Sequence, residues 1–203
     1  MKKIISIITA CAACVLTLTA CNTTPTKIAD DFSDTELVRW GEYDGLVYYS
    51  LEELEKDCDV AVVGTFVEDS TQEIKYDYLE PFQKEVITHV MSFNTIEVQE
   101  VLMGDINVGD ILTVRQDYAV VDGQLITLSS LTPMVKNDTW VFFLFNNYDS
   151  GIYMCCGDSD GRYPISSSTN KTLAITKNSN LGVYDKYDFK SGIYNEILEK
   201  YNI

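Results

Sequence analysis

Few side chains in this sequence are spaced to do chemistry. His89 is the only histidine among 203 residues. A Ser-His-Asp or Cys-His relay would have to run through it, because such relays place an imidazole between nucleophile and carboxylate. His89 lies beside the apolar pair Val90-Met91 with no nucleophile motif around it, so it is expected to be structural or merely exposed. Paired carboxylates could act as acid and base in glycoside hydrolysis. With 31 acidic residues, however, such pairs arise by chance everywhere, and none stands out. Asp158-Ser159-Asp160-Gly161 has the spacing of the first ligands of a calcium loop. The twelfth position, where a bidentate Glu belongs, is Thr169, so a plain turn is expected. There is no phosphate loop, no dinucleotide glycine pattern and no haem motif. The expectation is a chain without cofactor, metal or catalytic residues.

Of six cysteines, Cys11 and Cys14 fall in an uncharged N-terminal stretch, and Cys21 closes it. The remaining three are Cys58, Cys155 and Cys156. Adjacent cysteines cannot form the C-x2–4-C clamp of a structural zinc site. An odd count also excludes a fully paired framework. Either Cys58 bridges to one of the vicinal pair, or all three are small buried thiols.

The chain opens Met1-Lys2-Lys3 and then carries no charge from Ile4 to Ala20. That is a basic n-region followed by an apolar h-region, as in a secretion signal. The stretch ends Leu18-Thr19-Ala20-Cys21, which resembles the lipobox of bacterial lipoproteins: an apolar residue, two small residues and a cysteine. The resemblance implies a diacylglyceryl group on the Cys21 thiol, cleavage between Ala20 and Cys21, and a protein tied to the outer face of the cell membrane. The alternatives are a retained transmembrane anchor or an ordinary cleaved signal. A span needs roughly 20 apolar residues, and the Thr and Ser residues weaken this one.

Loss of residues 1–20 removes two of the 15 basic residues and no acid, leaving a net charge of −18. Such a field repels nucleic-acid phosphates and anionic lipid head groups, so nucleic acid is excluded as a partner. Thirteen Tyr, eight Phe and two Trp provide large apolar bodies for one core of ordinary size.

Along the chain, residues 21–36 are polar and aperiodic and are expected to tether the domain, residues 37–203, to the lipid. Ser50-Leu51-Glu52-Glu53 is a capping box that opens a short helix over 51–56. Residues 59–67, DVAVVGTFV, are apolar on both faces, which predicts a strand buried on both sides, bent at Gly64. Residues 69–88 form a long acidic excursion, expected as a hairpin tip. In 89–102, Met91 and Phe93 share one parity while Ile96 and Val98 share the other, which predicts a bulge near Asn94-Thr95. Val120 to Leu125 carry the Asp-Gly signal of a tight hairpin. Residues 140–145 are again apolar on both faces, with 151–156 as a hairpin partner. Further short strands are expected at 172–176 and 181–184. Ile193, Ile197, Leu198 and Tyr201 recur at helical spacing and predict a closing amphipathic helix.

Many short strands without strand–helix alternation indicate a mainly β domain. The expected fold is a small antiparallel OB-like Greek-key barrel with a short N-terminal helix and a C-terminal amphipathic helix. Cys58 to Val67, Ile96 to Gly104 and Trp140 to Phe145 together resemble a family of uncharacterised Gram-positive lipoprotein domains, whose strands follow the patterns SDxVVxGxV, VLKG and YLLFL. More distantly, the same rhythm is similar to the netrin-like barrel of metalloproteinase inhibitors, although the netrin cysteine framework is missing. These motifs describe core strands and so imply fold rather than activity.

The reading that follows is a membrane-anchored, extracytoplasmic, non-enzymatic module that binds a ligand or envelope partner. An extracytoplasmic hydrolase using carboxylates is the alternative. If binding occurs, Tyr76, Tyr78 and Phe82 in the polar excursion are its expected anchors, since Tyr offers large contact area at low entropic cost. Otherwise these rings fold back over a barrel end.

Overall fold

The computed structural model describes residues 26–27, 36–41, 46–68, 70–128, 133, 136–147, 150–157, 161–165 and 188–203. In chain order the elements are β1 (Thr26–Lys27), β2 (Glu36–Gly41), α1 (Leu51–Asp57), β3 (Val60–Phe66), β4 (Thr71–Leu79), β5 (Lys84–Met103), β6 (Ile111–Gln116), β7 (Tyr118–Val121), β8 (Gln124–Leu128), β9 (Thr139–Asn146), β10 (Ile152–Cys155), β11 (Arg162–Pro164) and α2 (Asp188–Tyr201).

Five strands close into a barrel in the circular order β3-β5-β6-β10-β9. Within the barrel the first strand pairs with the second and fourth, and the fifth slots between third and fourth. This is the OB-type Greek key. All its pairings are antiparallel except that of β6 with β10, where Thr113, Val114 and Arg115 run parallel to Ile152, Tyr153 and Met154. The antiparallel OB-like barrel expected from the sequence is therefore present, with this one parallel pair in it. β2, β8 and β7 form a separate three-stranded sheet, with β2 parallel to β8.

Alternation explains why β3 and β9 are apolar on both faces. Val60, Val62, Phe66, Trp140, Phe142 and Leu144 point into the barrel, where they meet Ile96, Val98, Leu112 and Val114. Ala61, Val63, Val141 and Phe143 point outward into a second core beneath Leu51 and Leu54 of α1 and Ile193 and Ile197 of α2. Burying each such Val, Leu or Phe stabilises the fold by about 1.5–3 kcal/mol. The helices thus roof one side of the barrel.

Local signals place α1. Ser50 Oγ accepts from the Glu53 amide at 3.2 Å, while the Glu53 carboxylate accepts from the Tyr49 amide at 2.9 Å. Gly64 coincides with a register shift against β5, and a β-carbon there would come within 3.0 Å of Ile96 Cδ1. Asp122 and Gly123, at φ 51° and 78°, form the tight turn between β7 and β8.

The bulge expected near Asn94-Thr95 is absent: β5 pairs with β6 without interruption from Ser92 to Glu97. The register shifts lie instead opposite Ala61–Val62, Val63–Gly64 and Lys75–Tyr76. The interior parity of β5 continues through Ser92 and Asn94, both fully buried. The apparent change of face arose because two interior positions are polar. Thr26–Lys27, inside the stretch expected as tether, forms a strand pair with Thr71–Gln72 of β4. The strands expected at 172–176 and 181–184, the Asp158–Asp160 turn and the signal segment with Cys21 lie outside the described residues. Among the described residues no helix is long and apolar enough to cross a membrane.

Candidate functional site

The loop between the first and second barrel strands is the long β4–β5 hairpin. Its base is locked by a buried polar cluster. The hydroxyls of Ser70 and Tyr118 donate to Asn94 Oδ1 at 2.6 and 2.8 Å, and Asn94 Nδ2 donates to the Val114 carbonyl and to Gln116 Oε1, both at 3.3 Å. Gln72 exchanges two hydrogen bonds with the backbone of Val120, at 2.8 and 2.9 Å. Burial pushes the Tyr118 phenol above its ordinary pKa. Val90, Ala119 and Ile126 pack a small apolar buttress against Ile74, Ile87 and Val121. These contacts tie the foot of the hairpin to the β2-β8-β7 sheet.

Beyond the foot the hairpin projects. β5 pairs with β6 only from Ser92 onward and with β3 only from Ile96, so Lys84–Met91 has β4 as its ladder partner among the described residues. Every residue from Lys75 to Glu85 is exposed. Tyr76, Tyr78 and Phe82, the three expected anchors, are 47, 53 and 68% exposed. Tyr76 and Tyr78 share a face of β4, Leu79 is exposed on the other, and Phe82 caps the tip in a single 3-10 turn, Glu80–Phe82. Gln83, at φ 50°, reverses the chain. The structure therefore brings the three aromatic residues together at one projecting end and does not fold them over the barrel. The surrounding charges are Glu73, Asp77, Glu80 and Glu85 against Lys75 and Lys84.

His89 sits lower on the hairpin, half-buried. Its Nε2 accepts from the Arg115 guanidinium at 3.1 Å, and Arg115 also pairs with Asp117 at 3.0 Å. This is a brace between β5 and β6, with no nucleophile in its hydrogen bonds. Cys58, Cys155 and Cys156 are all buried. The Cys156 thiol donates to the Asp57 carbonyl and the Cys58 thiol to the Glu55 carbonyl, both at 3.6 Å; the neighbouring Cys156 lowers the Cys58 pKa, while Cys58 and burial raise that of Cys156. Among the described residues no group of three His, Cys, Asp or Glu is placed to hold a metal ion.

Sequence reasoning missed one further surface. α1 and α2 flank an open cleft of about 540 Å³ lined by Leu51, Glu52, Glu55, Glu196, Glu199 and Lys200. Glu55 receives the Lys200 ammonium at 2.7 Å and the Tyr201 hydroxyl, and Glu196 accepts from the Leu51 amide at 3.2 Å. Two of its four carboxylates therefore already clasp the helices together. Nothing local in the sequence announces a cleft whose two walls lie at opposite ends of the domain.

No protein-family model matches this chain, and no curated protein matches it either.

Proposed function

We propose that this chain is an extracytoplasmic lipoprotein, acylated at Cys21, whose barrel carries a non-enzymatic contact module at the end of the β4–β5 hairpin. The observation that carries the contact role is the unbroken exposed run from Lys75 to Glu85, with Tyr76, Tyr78, Leu79 and Phe82 all open to solvent. Tyr76, Tyr78, Leu79 and Phe82 stand as four large apolar side chains on one projecting tip, and such clustering marks interaction surfaces. Its position agrees with the fold: OB-type barrels use the loop between the first two strands to engage ligands. The anchor rests on the lipobox Leu18-Thr19-Ala20-Cys21 and the uncharged run before it. One acyl chain holds a protein marginally, whereas the two of a diacylglyceryl group hold it stably.

Cell fractionation of Cys21→Ala tests the anchor. The variant is expected as unprocessed or soluble protein. If it remains membrane-bound at the mature mass, the anchor assignment fails.

A hydrolytic reading retains one supporting observation, the four carboxylates of the α1–α2 cleft. With Glu55 and Glu196 engaged, it would have to use Glu52 and Glu199. Turnover of a panel of chromogenic glycosides, lost in the Glu52→Gln and Glu199→Gln variants, would favour it over the contact module.

A further inference from the structure

We infer that the hairpin tip seats in the lipid head-group layer beside the anchor, so that the surface it contacts is the membrane itself. This rests on acylation at Cys21, and it names what the tip touches.

The first argument is chain direction. β1 runs antiparallel to β4, with Thr26 opposite Gln72 and Lys27 opposite Thr71. Followed from Lys27 back to Thr26, the chain therefore points along β4 toward Leu79 and the tip. On this inference the N-terminal lipid accordingly lies on the tip side of this strand pair.

The second argument is length. Only five residues, Cys21 to Pro25, precede Thr26 on the lipid side. Fully extended, they reach at most about 18 Å from Thr26. From Gln72, which faces Thr26, to Leu79 the hairpin extends seven residues, about 24 Å at strand rise. The reach of the hairpin beyond Gln72 exceeds the longest span those five residues could have. When Cys21 sits at the boundary of head groups and acyl chains, the tip reaches the same depth.

The third argument is composition. The residues carried to that depth are Tyr76, Tyr78, Leu79 and Phe82, all exposed. Aromatic side chains with an apolar body and a polar edge concentrate at membrane–water interfaces. The acidic residues nearby, Glu73, Asp77, Glu80 and Glu85, outnumber Lys75 and Lys84, so attraction to anionic lipid does not drive the contact. The anchor supplies retention, and the aromatic tip sets how the barrel stands on the surface.

The test uses the full-length chain, processed and acylated in a lipoprotein-producing host and reconstituted into phosphatidylcholine vesicles containing brominated lipid. Phe82→Trp places a reporter at the tip. Val108→Trp places one in the exposed turn between β5 and β6, at the far end of β5. Trp40 and Trp140 are common to both variants and to the parent, whose signal is subtracted. The expected result is at least twofold quenching with a blue shift for Phe82→Trp, and little change for Val108→Trp. Vesicle-bound protein in which the two reporters are equally unquenched would overturn the inference and leave the tip to a protein partner. Quenching at Phe82→Trp that arises only with anionic lipid would overturn the aromatic account. Protein that fails to float with the vesicles would instead sink the anchor reading, and this inference with it.

Discussion

The hydroxyl of Tyr118 donates to Asn94 Oδ1 at 2.8 Å, and neither residue has solvent-accessible surface. The bond joins β7 to the interior of β5 where the hairpin leaves the barrel. It belongs to the cluster that keeps the hairpin upright.

Tyr118→Phe removes this donor while keeping the ring. A stability loss of about 1–2 kcal/mol is expected, set by the Asn94 oxygen losing one of its two hydroxyl donors. The variant also alters the alkaline limb of stability. Burial raises the folded-state pKa of Tyr118 above its unfolded value. Above about pH 10 the unfolded chain therefore releases a proton that the folded chain keeps. The contribution of Tyr118 is complete below that pH and falls away as pH rises toward the folded pKa. Denaturant titrations across the alkaline range should show a shallower decline for Tyr118→Phe than for the parent. Equal slopes would mean that Tyr118 titrates normally.

Gly104 adopts φ 98°, and a β-carbon there would lie 2.6 Å from the Asp59 carbonyl oxygen and 2.7 Å from Val60 Cγ1. Gly104→Ala therefore incurs both left-handed strain, about 1–2 kcal/mol, and a backbone clash. A melting-temperature drop of several degrees is expected. An unchanged melting temperature would show that the turn after β5 shifts freely.

The thiols of Cys58, Cys155 and Cys156 are buried, and those of Cys58 and Cys156 donate to the Glu55 and Asp57 carbonyls. Alkylation under native conditions should leave the peptides of Cys58, Cys155 and Cys156 unmodified, and concentrated guanidinium without reductant should expose all three. Persistent protection of Cys58 and Cys156 after unfolding would reveal a disulfide between them.

Tyr76→Ala with Tyr78→Ala tests the tip. Both rings are about half exposed, and neither belongs to an apolar core. The melting temperature is expected to stay within a degree or two of the parent, since surface changes away from special features cost less than about 0.5 kcal/mol. A large loss would make the rings structural and end their candidacy as a contact surface.

The barrel was legible in the sequence because β3 and β9 bury both faces, an unmistakable pattern in VAVVGTF and TWVFFLF. The short helix was legible because Ser50 and Glu53 cap it locally, and the closing helix because Ile193 and Ile197 lie one turn apart. Ser92 and Asn94 defeated the same reading. Buried polar residues look solvent-facing unless their partners are known, and those partners, Ser70, Gln116 and Tyr118, are remote in sequence. The tip aromatics could be named from composition. That they project outward depends on where β5 parts from β6, which no local pattern encodes. The parallel pairing of β6 with β10 and the α1–α2 cleft are likewise non-local.

That parallel pairing carries a kinetic consequence. β4, β5 and β6 pair in chain order and β3 joins β5 across the short link to β4, so these contacts can assemble as the chain collapses. The barrel nevertheless stays open along β6 until β10, some 40 residues later, slides between β6 and β9. Loop closure over that distance is entropically slow, and such non-local pairings govern folding rates. Until the last strand arrives, Leu112 and Val114 face water along an unzipped seam. The vulnerable interval in the life of this protein is therefore the wait for a four-residue strand, when the seam is open to any other extended chain.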